Sequence, residues 1–228
     1  MMQGRSRALL IIVILILFIT STPFLFIQKG DIVLWITHHY TPFQDWLFSR
    51  VTLVGDGLAV PIMIIILCFV KFKHAITMSL IGIAHALIIN IFKRGLFHHA
   101  PRPKNVLPNE LLHFIPGVDV HGIMSFPSGH TTTAFAIAFF VFLITDKKVI
   151  GYISLFAALM VAYSRMYLLQ HFYMDVFFGA YLGSLIAYGS YILQDRIKLP
   201  GWAEYRIFIR IAGSKSQTEA DEPQTANS

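Results

Sequence analysis

Apolar residues along this chain fall in long runs, separated by short polar turns and one long polar stretch. Six runs reach or approach the about 20 residues that a helix needs to cross a bilayer. They cover 8–27, 51–70, 75–92, 128–145, 149–167 and 172–193. The pattern predicts an all-α fold, a six-transmembrane-helix bundle over 1–195 followed by a tail over 196–228. The first run follows Arg5 and Arg7 but is too long for a cleaved leader. Thr20-Ser21-Thr22-Pro23 is also a poor cleavage site, so an uncleaved anchor is expected.

The segments between the runs differ in kind. Between the first two, Trp35, Tyr40, Phe43 and Trp46 sit among polar residues. Thr41-Pro42 is a good helix start, with Pro at the first helical position. Phe43, Trp46 and Leu47 then share a face, which predicts a helix lying in the interface as an aromatic anchor or as a lid over a lipid-binding cleft. Residues 95–127 hold half of the ten prolines, together with His98, His99, His113 and His121, and show no helical period. A long irregular loop folded over the outer face is expected there, covering the active site with the interfacial helix. In the tail, Trp202, Tyr205 and Phe208 lie among basic residues, which suits a cytoplasmic interface. Beyond about 212 the residues are small and polar, and disorder is expected.

Composition strengthens the membrane reading. The chain is 56% hydrophobic and only 13% charged, with a mean hydropathy of +0.65, against about 25% charged residues in a soluble domain. A net charge of +6 would suggest nucleic acid in a soluble chain. Here the basic residues gather at the ends of apolar runs, so a nucleic-acid partner is excluded. Arg5, Arg7, Lys71, Lys73, Lys147, Lys148 and the tail residues Arg196, Lys198, Arg206, Arg210 and Lys215 fall on one side. Lys29, Arg50, Lys93, Arg94, Arg102, Lys104 and Arg165 fall on the other. The bias puts both termini in the cytoplasm. Cys68 lies inside an apolar run and has no partner for an intrachain disulfide.

Candidate chemistry collects at one end of the runs. His171 and Asp175 are four apart at a helix start, so they share a face. A carboxylate that accepts the imidazole Nδ1–H leaves Nε2 as an in-line nucleophile. Ser128-Gly129 at a helix N-terminus offers N–H groups to an anion, Gly129 permits close approach, and His130 follows as a general acid. Arg102 and Arg165 can fork onto phosphate oxygens, with Lys93 or Arg94 as a point charge. Cations, a helix N-terminus, two histidines and one orienting carboxylate suit phosphoryl transfer.

The pattern Lys93…Arg102-Pro103, Pro127-Ser128-Gly129-His130 and Ser164-Arg165 with His171 and Asp175 resembles the three-part signature of the type-2 phosphatidic acid phosphatase family. The last two parts match without a gap, whereas eight residues separate Lys93 from Arg102 where the family has six. The resemblance implies a metal-independent phosphatase acting on a lipid phosphate or diphosphate. It implies that His171 becomes phosphohistidine, that Asp175 is its partner, and that His130 protonates the leaving oxygen. Lys93, Arg102, Ser128, Gly129 and Arg165 would bind the phosphate. No cofactor is implied, and the partners are the membrane and a lipid phosphate, with no obligatory protein partner.

Two other readings share parts of this pattern. A phosphotransferase would use the same residues with an acceptor lipid in place of water. An ion or proton carrier would want His and Asp distributed through the spans rather than clustered at one end. The loop histidines lack carboxylate or Cys partners at metal-ligand spacing and are read as solvated or near lipid head groups. His85 and Asn90 are read as hydrogen-bonding within the bundle, and Asp56 as structural or as part of the cleft. Gly179, Gly183 and Ala187 recur every four residues, a close-packing face.

Overall fold

Thr41 and Pro42 begin a helix as their chemistry dictates. The Thr41 hydroxyl accepts the Gln44 N–H at 3.2 Å, and Pro42 opens α2, Pro42–Val51. α1, Asp31–His38, precedes it and is a helix that the hydropathy pattern does not single out. The computed structural model describes residues 19–196, 199–205 and 207, and no strand occurs among them. A 3₁₀ turn, Thr52–Gly55, continues α2 toward α3, Ala59–Cys68. α4, Phe72–Asn90, widens into a π-helical turn over Ile91–Leu96. After the long loop come α5, Gly129–Ile144, α6, Lys148–Tyr167, and α7, Tyr173–Arg196.

Among the described residues, three helical stretches are long and apolar enough to cross a bilayer: Phe72–Leu96, Lys148–Tyr167 and Tyr173–Gln194. A fourth crossing exists if Pro42–Gly55 and Ala59–Cys68, bent by 62°, count as one broken span. The expected continuous helix over 51–70 is therefore not formed. Its break falls at Asp56, whose backbone is extended and whose Oδ1 accepts the Leu58 N–H at 3.0 Å. The expected run at 128–145 becomes a 16-residue helix, shorter than an ordinary span. Most of the expected first span, and the tail beyond 207, lie outside the described residues.

α5 is the centre of the bundle and packs chiefly against α7 and α6. Its residues Thr131, Thr132, Thr133, Ala134, Ala136, Ala138 and Phe140 are buried. In lipid, apolar burial does not drive helices together, so close packing of small residues must. The spacing of Gly179 and Gly183 on α7 meets that need. A Cβ on Gly179 would come within 2.7 Å of the Ser128 carbonyl oxygen, and one on Gly183 would overlap the carbonyl of Thr132.

The short α5–α6 and α6–α7 connections force reversals, so the end of α4, the start of α5, the end of α6 and the start of α7 meet at one end of the bundle. A cluster of Val33, Ile36, Phe48, Leu168, Leu169 and Phe172 packs α1 and α2 against that end. Tyr167 reinforces the attachment by donating its hydroxyl to Asp45 at 2.5 Å. At the opposite end the chain after α7 returns to the α3–α4 turn. Phe72 donates its N–H to Tyr205 at 3.0 Å, Ile207 donates to Cys68 at 3.0 Å, and Lys71 pairs with Glu204 at 2.9 Å.

Candidate active site

The end where the helices meet encloses a cavity of about 440 Å³. Lys93, Arg102, His130, Arg165 and His171 all line it, joined by Ser49, Thr52, Gly117, Val118, Asp119, His121, Leu168 and Gln170. Five residues from three separate sequence motifs thus share one space. Lys93 is the cation of its pair in the lining, and the neighbouring Arg94 is exposed and outside it. The π-helical turn carries Lys93.

His171 occupies the turn between α6 and α7 and is 1% exposed. Its backbone N–H and that of Gln170 both donate to the Arg165 carbonyl, at 3.2 and 2.9 Å, so the imidazole is pinned to the end of α6. Leu169 in the same turn has a φ of +56°, a conformation that costs a non-glycine residue about 1 kcal/mol or more and that its burial enforces. Burial pushes the His171 imidazole well below its usual value; Asp175 opposes the shift and the charges of Arg165 and Arg102 reinforce it. The ring is therefore neutral near pH 7, as a nitrogen nucleophile must be.

Asp175 stands behind the ring, with Oδ2 at 3.7 Å from His171 Nδ1. That separation exceeds a direct hydrogen bond, and the Nδ1 atom is buried with no other hydrogen-bond partner. The same carboxylate oxygen accepts Ser125 Oγ–H at 2.5 Å and the Phe172 N–H at 2.9 Å. Asp175 is thus fixed by two donors, one from the long loop and one from the α6–α7 turn, before it acts on the imidazole. Ser125 escaped the sequence reading because it lies fifty positions from Asp175 in an aperiodic loop.

Each arginine is also built in. Arg102 is 6% exposed, donates Nε–H to Ile123 O at 2.9 Å, and gives another N–H to Gln170 Oε1. Gln170 Nε2 in turn donates to Asp119 O at 2.8 Å. Arg165, 7% exposed, donates to Thr52 Oγ1 at 2.6 Å and keeps a buried Nε–H with no partner. A buried guanidinium with an unsatisfied donor beside a cavity is suited to an incoming anion. Gln170 and Thr52 are further residues the sequence reading missed; Gln170 adjoins His171, but no spacing marked Thr52.

Two expectations need correction. Ser128 is fully buried, and its hydroxyl caps α5 by accepting the Thr131 N–H at 3.4 Å. Its own N–H donates to the Asp175 carbonyl at 3.0 Å, so Ser128 ties α5 to α7 rather than facing the cavity. The pocket also holds more than one carboxylate. Asp119 lies in the lining, and Asp56 Oδ2 stands 3.7 Å from His130 Nε2.

The loop histidines divide. His121 lines the cavity with Nδ1 at 3.6 Å from Asp119 Oδ2. His113 stacks on Tyr40 at 3.6 Å and pairs with Asp45 at 3.0 Å, so it fastens the loop to α2 rather than lying in solvent. His98 and His99 pack edge to face on each other. Among the described residues no three His, Cys, Asp or Glu side chains gather as metal ligands would. His85 reaches Thr133 at 3.3 Å across the bundle, whereas Asn90 donates to Ala86 O within its own helix.

A helical membrane bundle with a buried histidine among fixed cations at one end of its helices is an arrangement suited to holding and transferring a phosphate. The chain belongs to the PAP2 superfamily, whose family model matches residues 73–198. Its fold is similar to the crystal structure of Aquifex aeolicus LpxE, with a TM-score of 0.64 and 25% identity over 72% of this chain and 94% of that one. It is also similar to a transmembrane PAP2 type phosphatidylglycerolphosphate phosphatase from Bacillus subtilis, with a TM-score of 0.58 and 23% identity. That match covers 84% of this chain and 96% of the other. No curated protein sequence matches the chain.

Proposed function

We propose that the protein hydrolyses a lipid phosphate or diphosphate through a phosphohistidine at His171, with no metal taking part. The observation that carries this reading is the convergence of Lys93, Arg102, Arg165, His130 and a neutral His171 on one cavity at the end of apolar helices. The phosphate would sit among the three cations, with the N–H of Gly129 at the α5 terminus adding to the cradle. His171 Nε2 attacks phosphorus as the bond to the lipid oxygen breaks, and His130 gives that oxygen a proton. Water then attacks the phosphohistidine and returns a proton to His130, releasing phosphate and a neutral His171. Asp175, 3.7 Å behind the ring, stabilises the positive charge that Nδ1–H carries during transfer.

The cations supply the charge that metal ions provide in two-metal phosphatases. The nearby carboxylates are committed or open: Asp175 to Ser125 and Phe172, Asp56 to the Leu58 N–H, and Asp119 exposed at the rim. The membrane spans support a substrate presented by the bilayer. Phosphatidic acid, phosphatidylglycerol phosphate, an isoprenyl diphosphate and the phosphate of a lipid A are the classes to screen. The reading includes six spans, the first supplied by 8–27, with the site on the outer face of a bacterial inner membrane and both termini cytoplasmic.

The test is phosphate release from these lipids in detergent after exhaustive chelation, with and without vanadate. Activity is expected to survive chelation and to fall with vanadate, which takes five-coordinate geometry beside Nε2. His171→Ala is expected to reduce turnover to background and to abolish an acid-labile phosphoenzyme. Activity lost to chelator and restored by magnesium or zinc would overturn the mechanism.

A further inference from the structure

The break between α2 and α3 places a carboxylate where an apolar helix would have none. Gly55 packs so tightly that a Cβ there would lie 2.6 Å from both the His130 carbonyl oxygen and Val161 Cγ1. That contact presses the Gly55-Asp56-Gly57 turn onto the start of α5. One Asp56 oxygen closes the turn by accepting the Leu58 N–H at 3.0 Å. The other, Oδ2, points to His130 Nε2 at 3.7 Å.

The charged groups acting on His130 are Asp56 from the break, Arg165 from α6, Lys93 from the end of α4 and Arg102 from the loop. A protonated His130 adds a further positive charge to a pocket that already holds three cations. Only Asp56 among these four groups carries the opposite sign. Bound substrate offsets the cations through its non-bridging oxygens, whereas the charge that develops on the lipid oxygen as its bond to phosphorus breaks is removed only by the proton.

We infer that Asp56 is the positioning residue for the general acid: it faces His130 across 3.7 Å, stabilises the protonated ring by its charge and keeps that proton available to the leaving oxygen. This makes two His–Asp pairs in one pocket, with His171–Asp175 serving attack and His130–Asp56 serving departure. The inference rests on the phosphatase reading given above. With Asp56 beside Nε2, Nδ1 is the nitrogen left to serve the leaving group.

The experiment compares kcat/KM for an alkyl phosphate lipid with kcat/KM for p-nitrophenyl phosphate, whose leaving group needs little protonation; kcat/KM excludes the later hydrolysis of the phosphohistidine, which both substrates share. Asp56→Asn, nearly isosteric and still able to accept the Leu58 N–H, is expected to lower kcat/KM for the lipid by roughly 10-fold or more. It should leave p-nitrophenyl phosphate within about 2-fold of wild type. Removing the carboxylate weakens the hold on the proton, so the alkaline limb of the kcat/KM profile for the lipid should move to lower pH. Asp56→Glu should recover part of the lost rate, and melting in detergent reports whether each variant is folded. Equal losses on both substrates with an unmoved pH limb would make Asp56 a turn-former only, and unchanged rates would remove it from the reaction; either result overturns the inference. His130→Ala runs in parallel: if it shows no leaving-group dependence, the acid assignment itself fails, whereas dependence in His130→Ala without it in Asp56→Asn rejects the Asp56 role alone.

Discussion

His171 is kept uncharged by its position, and stability must carry the signature. Its imidazole binds a proton less readily in the folded protein than in the unfolded chain, where the value is near 6.5. The contribution is therefore fully present above about pH 6.5 and is lost as pH falls below it, by about 1.4 kcal/mol per unit until the folded group itself titrates. Wild type should lose more Tm in detergent between pH 7.5 and 5.5 than His171→Asn does. Parallel slopes for the two would mean that the ring takes up its proton normally. Single residues were legible in the sequence where their partner lay within one helical turn. His171 and Asp175 could be paired on that ground, and Ser128-Gly129-His130 could be placed at a helix start. Partners such as Ser125 and Thr52 come from distant segments, and nothing local to them reports the contact. Ser128 shows the opposite failure: its residue type fits an anion site, but its N–H and hydroxyl are used internally.

At the level of elements, the approach of α7 to α5 does more than hold the bundle together. Gly179 and Gly183 bring the α7 backbone against Ser128 and Thr132, and beside that contact the Ser128 N–H bonds the Asp175 carbonyl at 3.0 Å. Gly183→Val should destabilise the protein by about 1–3 kcal/mol through overpacking. The measurement is a Tm in detergent, with activity falling alongside it, since α5 must shift to admit the side chain. A neutral result would mean that the two helices can part without consequence. Hydropathy located the helices α4, α6 and α7 to within a few residues because long apolar runs admit few other structures. It did not show the 62° break before α3, because Gly55-Asp56-Gly57 interrupts the run too briefly to change its average. α1 was hidden among the aromatic and polar residues that precede α2.

For the whole molecule, the sidedness of the pocket follows from the proposed orientation. Asn105 is exposed in the loop beside the site, on the end opposite Lys71, Lys73, Lys147 and Lys148. Asn105→Cys, in a Cys68→Ser background, should react with an impermeant thiol reagent added to intact cells. Labelling only after the inner membrane is opened would reverse the orientation. The sequence could rank the two faces by their basic residues, but it could not show that the tail returns to bond with Phe72 and Cys68 at the far end. The arrangement around α5 has one more consequence. The helix α5, with His130 in its first turn, is wrapped by protein, with buried residues between Thr131 and Phe140, while α4, α6 and α7 present their apolar faces to the surroundings. Changes in acyl-chain length or fluidity therefore reach the catalytic helix only through its neighbours. The helix that carries His130 is thereby insulated from the composition of the bilayer in which the protein sits.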